Sequence, residues 1–135
     1  MKLEDLKSEL KTDLYIDQQH LADAAANNSL LHQKYSAMTV DLRMQYKREL
    51  IEFYRVKKTA YRYYQGYEMT CPPETLDARG VKVHIEGDDK VLEIQKRLFV
   101  LEEKIKFLED ACQSIVARGF NIRNIIEIKK FQAGL

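Results

Sequence analysis

An all-α fold is predicted by three features of the sequence. Apolar residues recur every three or four positions over most of its length, helix-breaking residues are few, and charge is dense between the apolar positions. Five glycines and two prolines in 135 residues, with 45% hydrophobic and 32% charged side chains, suit long helices with one buried and one solvated face. The length suits one structural unit.

The first element is a short amphipathic helix on Leu3, Leu6, Leu10 and Leu14, whose stripe needs a partner. Asp17 is the expected N-cap of the next. Its seam runs through Leu21, Ala24, Asn28, Leu31, Tyr35, Met38 and Leu42, with Asn28 the one polar member, then drifts through Tyr46, Leu50, Phe53, Ala60 and Tyr64 to a stop at Gly66. The spacing predicts one helix from 17 to 65, or two if Asn27-Asn28-Ser29 breaks it. At roughly 1.5 Å per residue it would reach roughly 70 Å, which implies an extended or oligomeric architecture.

From 67 to 90 the helical pattern fails, punctuated by Cys71-Pro72-Pro73, Arg79-Gly80 and Gly87-Asp88-Asp89, and a connecting loop is expected. Val81, Val83 and Ile85 alternate with Lys82, His84 and Glu86, so residues 81–86 are the one candidate β-strand, with an extended loop as the alternative.

Asp88 or Asp89 is expected to cap the most regular segment. Val91, Ile94, Leu98, Leu101, Ile105, Leu108, Cys112 and Ile115 step by alternating threes and fours, as the seam of a coiled coil does. Its flanks carry Lys90, Arg97 and Lys104 on one side and Gln95, Glu102 and Glu109 on the other. Parallel copies would match Arg97 with Glu102 and Lys104 with Glu109, whereas antiparallel copies would oppose like charges. Parallel self-association is therefore expected, the alternative being that the helix packs against the 17–65 helix of its own chain. Gly119 is expected to end it, and Asn121 to cap a last short helix bearing Ile122, Ile125, Ile126 and Phe131. The expected division is 1–66, 67–90 and 91–135 within a single structural unit.

Several function classes lose support. Phosphate-cradling motifs such as GxxxxGK[ST] and GxGxxG do not occur, and no nucleophile is set beside a base, so no catalytic residue and no cofactor is assigned. His20, His32 and His84 are scattered without HxxxH or CxxC company, and no metal site is expected. Cys71 and Cys112 lack the spacing of a disulfide framework and fit a reducing compartment. The charged start Met1-Lys2-Leu3-Glu4-Asp5 lacks a signal-length apolar run, and no stretch is long enough to span a bilayer, so no membrane partner is expected.

The 22 basic and 21 acidic residues nearly cancel, so any affinity for nucleic acid must come from local placement. One concentration stands out. From Arg43 to Arg62, seven cations (Arg43, Lys47, Arg48, Arg55, Lys57, Lys58 and Arg62) face Glu49 and Glu52, a local excess of +5. On a helix Arg48, Arg55 and Arg62 share nearly one face with Lys58 between them, and Tyr54 and Tyr61 line the adjoining stripe. Cations at that spacing can follow a phosphate backbone, and tyrosine rings can stack on unpaired bases whatever their identity. The alternative is a solvated basic face whose tyrosines are buried at a subunit contact.

Two stretches carry a further signal: Leu3-Glu4-Asp5-Leu6, Glu9-Leu10, Asp13, Ile16-Asp17, Leu21 and Ala25-Ala26-Asn27-Asn28 at the start, and Arg118-Gly119-Phe120, Ile122-Arg123, Ile125, Phe131 and Ala133-Gly134 at the end. In identity and spacing they resemble the UvsY family of recombination mediators of T-even-type phages. The resemblance covers nearly the whole chain apart from 67–90. The family's DNA-binding run Leu-Lys-Ala-Arg-Leu-Asp-Tyr-Tyr-Ser-Gly falls on residues 57–66. Lys58, Tyr63, Tyr64 and Gly66 correspond directly; the second cation falls on Ala60 and the acidic residue on Arg62, so the charge is displaced along the helix. With the charge displaced in this way, the DNA contact is expected at Lys58, which the motif matches, and at Arg62, with Arg55 in support, while Tyr63 and Tyr64 are stacking or packing residues.

The resemblance also implies a homo-oligomeric ring of six or seven subunits held largely by C-terminal helices, including Phe120, Ile122, Ile125 and Phe131. Such a ring binds single-stranded DNA and meets a UvsX-type recombinase and the phage single-strand-binding protein. Its work would be to load the recombinase during phage recombination, repair and replication, in the cytoplasm of the infected host, without being an enzyme. The alternative is a coiled-coil scaffold with no nucleic-acid role.

Overall fold

A computed structural model describes residues 1–68, 70–72 and 75–134. Pro73, one of the expected punctuation residues, lies outside them. The described residues form four helices and no strand: α1 (Leu3–Asp13), α2 (Leu21–Gln65), α3 (Ala78–Glu86) and α4 (Asp89–Gln132). They group into two compact units, Met1–Asp41 with Lys104–Leu135, and Leu42–Glu103. The helices α2 and α4 contribute to both.

In the first unit, α2 and α4 run antiparallel, with Asn28 opposite Ile115 and Ser36 opposite Cys112. Leu108, Ala111, Ile115 and Ile122 of α4 are buried, as are Ala24 and Tyr35 of α2 and Leu6 and Leu10 of α1. The polar member of the α2 seam is explained: the Asn28 amide donates to Ile115 O at 2.9 Å and its oxygen accepts from Arg118 Nη1 at 2.9 Å. Arg118, 6% exposed, also donates to the carbonyls of Leu14, Tyr15 and Ala24.

Gly119 does not end α4, and Asn121 lies inside the helix as no cap. The reason for glycine is a close approach: a Cβ at Gly119 would stand 2.9 Å from Asn28 Nδ2. Its packing partner on α2, and no turn, requires the missing side chain. Asp17 is likewise not the N-cap of α2, which starts at Leu21 with the His20 carbonyl accepting from Ala24 N. Its carboxylate folds a turn, accepting from Gln19 N at 3.0 Å and pairing with His20 Nδ1 at 2.7 Å. The Asn27-Asn28-Ser29 run leaves α2 unbroken.

A polar clasp holds α1 to α2. Lys34 Nζ lies 2.6 Å from Glu9 and 2.7 Å from Asp13, and the buried Tyr35 hydroxyl donates to Asp13 at 2.8 Å. Burial alone would push the Asp13 carboxyl up, but the hydrogen bonds from Lys34 and Tyr35 and the charges of Lys34 and Arg118 outweigh it and hold it below its ordinary value. A depressed carboxyl contributes stability above its unfolded value and loses it as pH falls through the folded one. Thermal stability is therefore expected to drop as pH is lowered from about 3.8. Asp13→Asn should be less stable at neutral pH and show a flatter acid limb in melts across pH; an unaltered limb would remove Asp13 from the account.

In the second unit, α2 and α4 again run antiparallel: Tyr46 Oη donates to Glu102 at 3.0 Å, and Arg97 lies 3.3 Å from Glu49. Two of the flank charges expected to join parallel copies, Arg97 and Glu102, thus have partners on α2 of the same chain. The seam follows suit. Val91, Ile94, Leu98 and Leu101 here, and Leu108 and Ile115 in the first unit, are buried within the single chain, while Ile105 and Cys112 are half-buried.

The expected strand at 81–86 is corrected to helix α3. Asp77 caps it, its Oδ1 accepting from Gly80 N at 2.7 Å. Val81 and Ile85, four apart, then bury on one face beside Ala60 and Val91, with Phe53, Val56, Tyr64 and Leu76 packed around them, while Val83 points outward at 61% exposure. A single strand would have left its backbone groups unpaired; a helix satisfies them internally.

Candidate nucleic-acid interface

The C-terminal part of α2 buries one side and presents the other to solvent. Phe53, Val56, Ala60 and Tyr64 face the core around α3. On the far side Met44, Arg48, Ile51, Arg55, Lys58 and Arg62, alternating steps of four and three, form one exposed row, and Lys47, Tyr54 and Tyr61 form a second beside it at steps of seven. Each step of seven advances about 10.5 Å along the axis. Arg48, Tyr54, Arg55, Lys58, Tyr61 and Arg62 are thus brought together on one outward surface, in agreement with their spacing.

Three other candidates stand apart from it. Lys57 lies on the flank with its ammonium 5.3 Å from the Phe53 ring centre. Tyr63 and Tyr64 meet edge to face at 5.0 Å, and Tyr64 packs on His84 and donates to Asp88 at 2.9 Å. Burial and the Asp88 hydrogen bond push the Tyr64 phenol up, so it stays protonated. Tyr64 is a packing residue. The sequence pattern named its ring without revealing that the core side of α2 claims it.

The cations differ in their surroundings. Arg55 lies 3.7 Å from Glu52, and Arg62 Nε donates to Glu68 at 2.6 Å, whereas Lys47, Arg48 and Lys58 have no ion-pair partner among the described residues. Met44 and Ile51, about half exposed, are surface members that charge counting missed; their steps of seven to Lys58 would have found them. Exposed apolar side chains among cations offer a surface to base faces. A groove of about 650 Å³ on the flank, lined by Arg55, Thr59, Tyr63 and Lys90, also carries Glu52, Asp88 and Asp89, and this acidic excess disfavours phosphate. Among the described residues no cluster of His, Cys, Asp and Glu is placed to hold a metal, and no helix is long and apolar enough to cross a membrane.

The helix end is fixed by Gly66, at φ 83°. Gly66 N donates to Tyr63 O and Tyr67 N to Arg62 O, the paired bonds of a Schellman turn. A residue with a Cβ would be strained there.

A family model described as "Recombination, repair and ssDNA binding protein UvsY" matches residues 9–135. The recombination protein uvsY of Enterobacteria phage T4 is 30% identical over 142 residues, covering 99% of each chain. Crystal structures of the bacteriophage T4 recombination mediator protein UvsY superpose with TM-scores of 0.93 in one lattice and 0.79 in another, each at 28% identity. The first covers 98% of both chains, and the second 98% of this chain and 99% of the other. With the helices, the family match and the length in agreement, the chain belongs to the UvsY family of recombination, repair and single-stranded-DNA-binding proteins.

Proposed function

We propose that this protein is a recombination mediator that grips single-stranded DNA along the outer face of α2 and helps load a UvsX-type recombinase onto DNA covered by single-strand-binding protein. The observation that carries this is the pair of exposed rows over residues 44–62, in which Arg48, Arg55, Lys58 and Arg62 share one row with Met44 and Ile51, beside a second that holds Tyr54 and Tyr61. Cations neutralise phosphates without reading sequence, and the rings stack on unpaired bases, a combination that favours single strands over duplex. One such helix is a weak binder. Several copies in a homo-oligomeric ring would bind through avidity, which supports self-association as part of the function.

The exposed apolar side chains of the last part of α4, Val116, Phe120, Ile128 and Phe131, are the surface we assign to that self-association. Ile122 is buried and Ile125 half-buried, so both would support it from beneath. Loading follows as linkage: a protein that prefers one geometry of the strand shifts which of two competitors, the single-strand-binding protein or the recombinase, occupies it.

The test is fluorescence polarisation of labelled oligo-dT at several salt concentrations. Lys58→Ala is expected to weaken binding several-fold and to reduce the salt slope by about one per subunit engaged. An unchanged affinity and slope would move the contact elsewhere. No binding by the unaltered protein at low salt would favour the scaffold reading instead.

A further inference from the structure

The turn that ends α2 folds back onto the last cation and the last tyrosine of the outer face. The Tyr67 ring stands 6.4 Å from the Tyr61 ring, tilted by 59°, and Glu68 Oε1 accepts from Arg62 Nε at 2.6 Å. Two consecutive residues thereby set an aromatic ring against Tyr61 and an anion on Arg62. A nucleotide offers the same two groups, a planar base and a phosphate, and arginine binds carboxylate and phosphate by the same charge-assisted hydrogen bonds.

Resting on the reading of this face as a single-strand site, we infer that Tyr67 and Glu68 fill, from within the chain, the seat that one nucleotide of a bound strand takes at Tyr61 and Arg62. The strand enters that subsite by displacing the turn, whereas Arg48 and Lys58 meet it without such competition. The Schellman bonds through Gly66 hold the two residues in place, so the competitor is ordered before DNA arrives. Its hold is limited, because the Arg62 and Glu68 side chains are 48% and 46% exposed. Ion pairs of that kind are weak, and removing the carboxylate should tighten binding by about two- to fivefold.

A double-mutant cycle on oligo-dT binding tests this at fixed salt. Glu68→Gln is expected to bind more tightly than the unaltered protein, and the gain is expected to vanish when Arg62→Ala is also present. No gain, or an equal gain in both backgrounds, would overturn the inference, since the carboxylate would then be inert or act only as a distant negative charge. Lys58→Ala, measured in parallel, separates the two ideas. If it weakens binding while Glu68→Gln does nothing, the strand is on this face and the nucleotide seat is wrong; if neither matters, the face itself is wrong.

Discussion

Replacing Leu108 by aspartate should abolish the fold. Leu108 is fully buried in the first unit, in the run that also buries Ile115 and Ala111. The substitution removes a side chain whose truncation alone costs about 2 to 5 kcal/mol and places a carboxylate where no partner waits. The total approaches the stability of a whole domain, about 5 to 15 kcal/mol. Circular dichroism should show most of the helical signal lost near room temperature. Phe131→Asp is the control. It makes the same chemical change on the same helix at a side chain 84% exposed, so the melting curve should hardly move. What should change is the sedimentation mass, because the assigned self-association surface gains a charge. If instead Leu108→Asp kept its helical melt and only lost mass, the α4 seam would be a contact between subunits and the account of the core would be mistaken.

That comparison bears on how much the sequence revealed. Long seams survive translation into structure: α1, the course of α2 to Gly66 and the start of α4 after Asp88 are all legible, because apolar spacing over many turns leaves few alternatives. What a seam does not name is its partner. The charges flanking α4 suit a second copy of α4 by their spacing, whereas Glu49 and Tyr46 on α2 take Arg97 and Glu102. Short segments were harder. Val81, Val83 and Ile85 fit a strand by alternation and a helix by the four-residue step from Val81 to Ile85, and only the Asp77 cap decides. Gly119 looked like punctuation because its reason lies on another helix, at Asn28. The cationic rows of the candidate site were visible as periodicity, but the split between Tyr54 and Tyr61 outside and Tyr64 inside needed the position of α3.

Arg118→Ala should cost about 2 to 5 kcal/mol, since hydrogen bonds from a charged donor are worth about 1.5 to 3 kcal/mol each and a buried acceptor left unpaired costs about 1 to 3. All three guanidinium nitrogens are in use: Nε donates to Leu14 O at 3.3 Å, Nη2 to Tyr15 O at 3.1 Å, and Nη1 to Ala24 O at 3.2 Å and Asn28 Oδ1 at 2.9 Å. Leu14 is the C-cap of α1, so its carbonyl and that of Tyr15 lie where a helix leaves acceptors without internal partners and where a positive charge is favoured. Alanine strands these acceptors and leaves Asn28, which packs over Gly119, held by its bond to Ile115 O alone. Arg118→Lys should recover only a minor part, since one ammonium cannot span four acceptors on two segments, the end of α1 and the start of α2. The loss should be local as well as global: hydrogen exchange in α1, and proteolysis between Tyr15 and Gln19, should accelerate more than exchange at Val91 to Leu101, because Arg118 joins the end of α1 to α2 and α4. A loss below about 1 kcal/mol, or equal acceleration in both units, would mean that the apolar contacts of Leu6 and Leu10 hold α1 without the arginine.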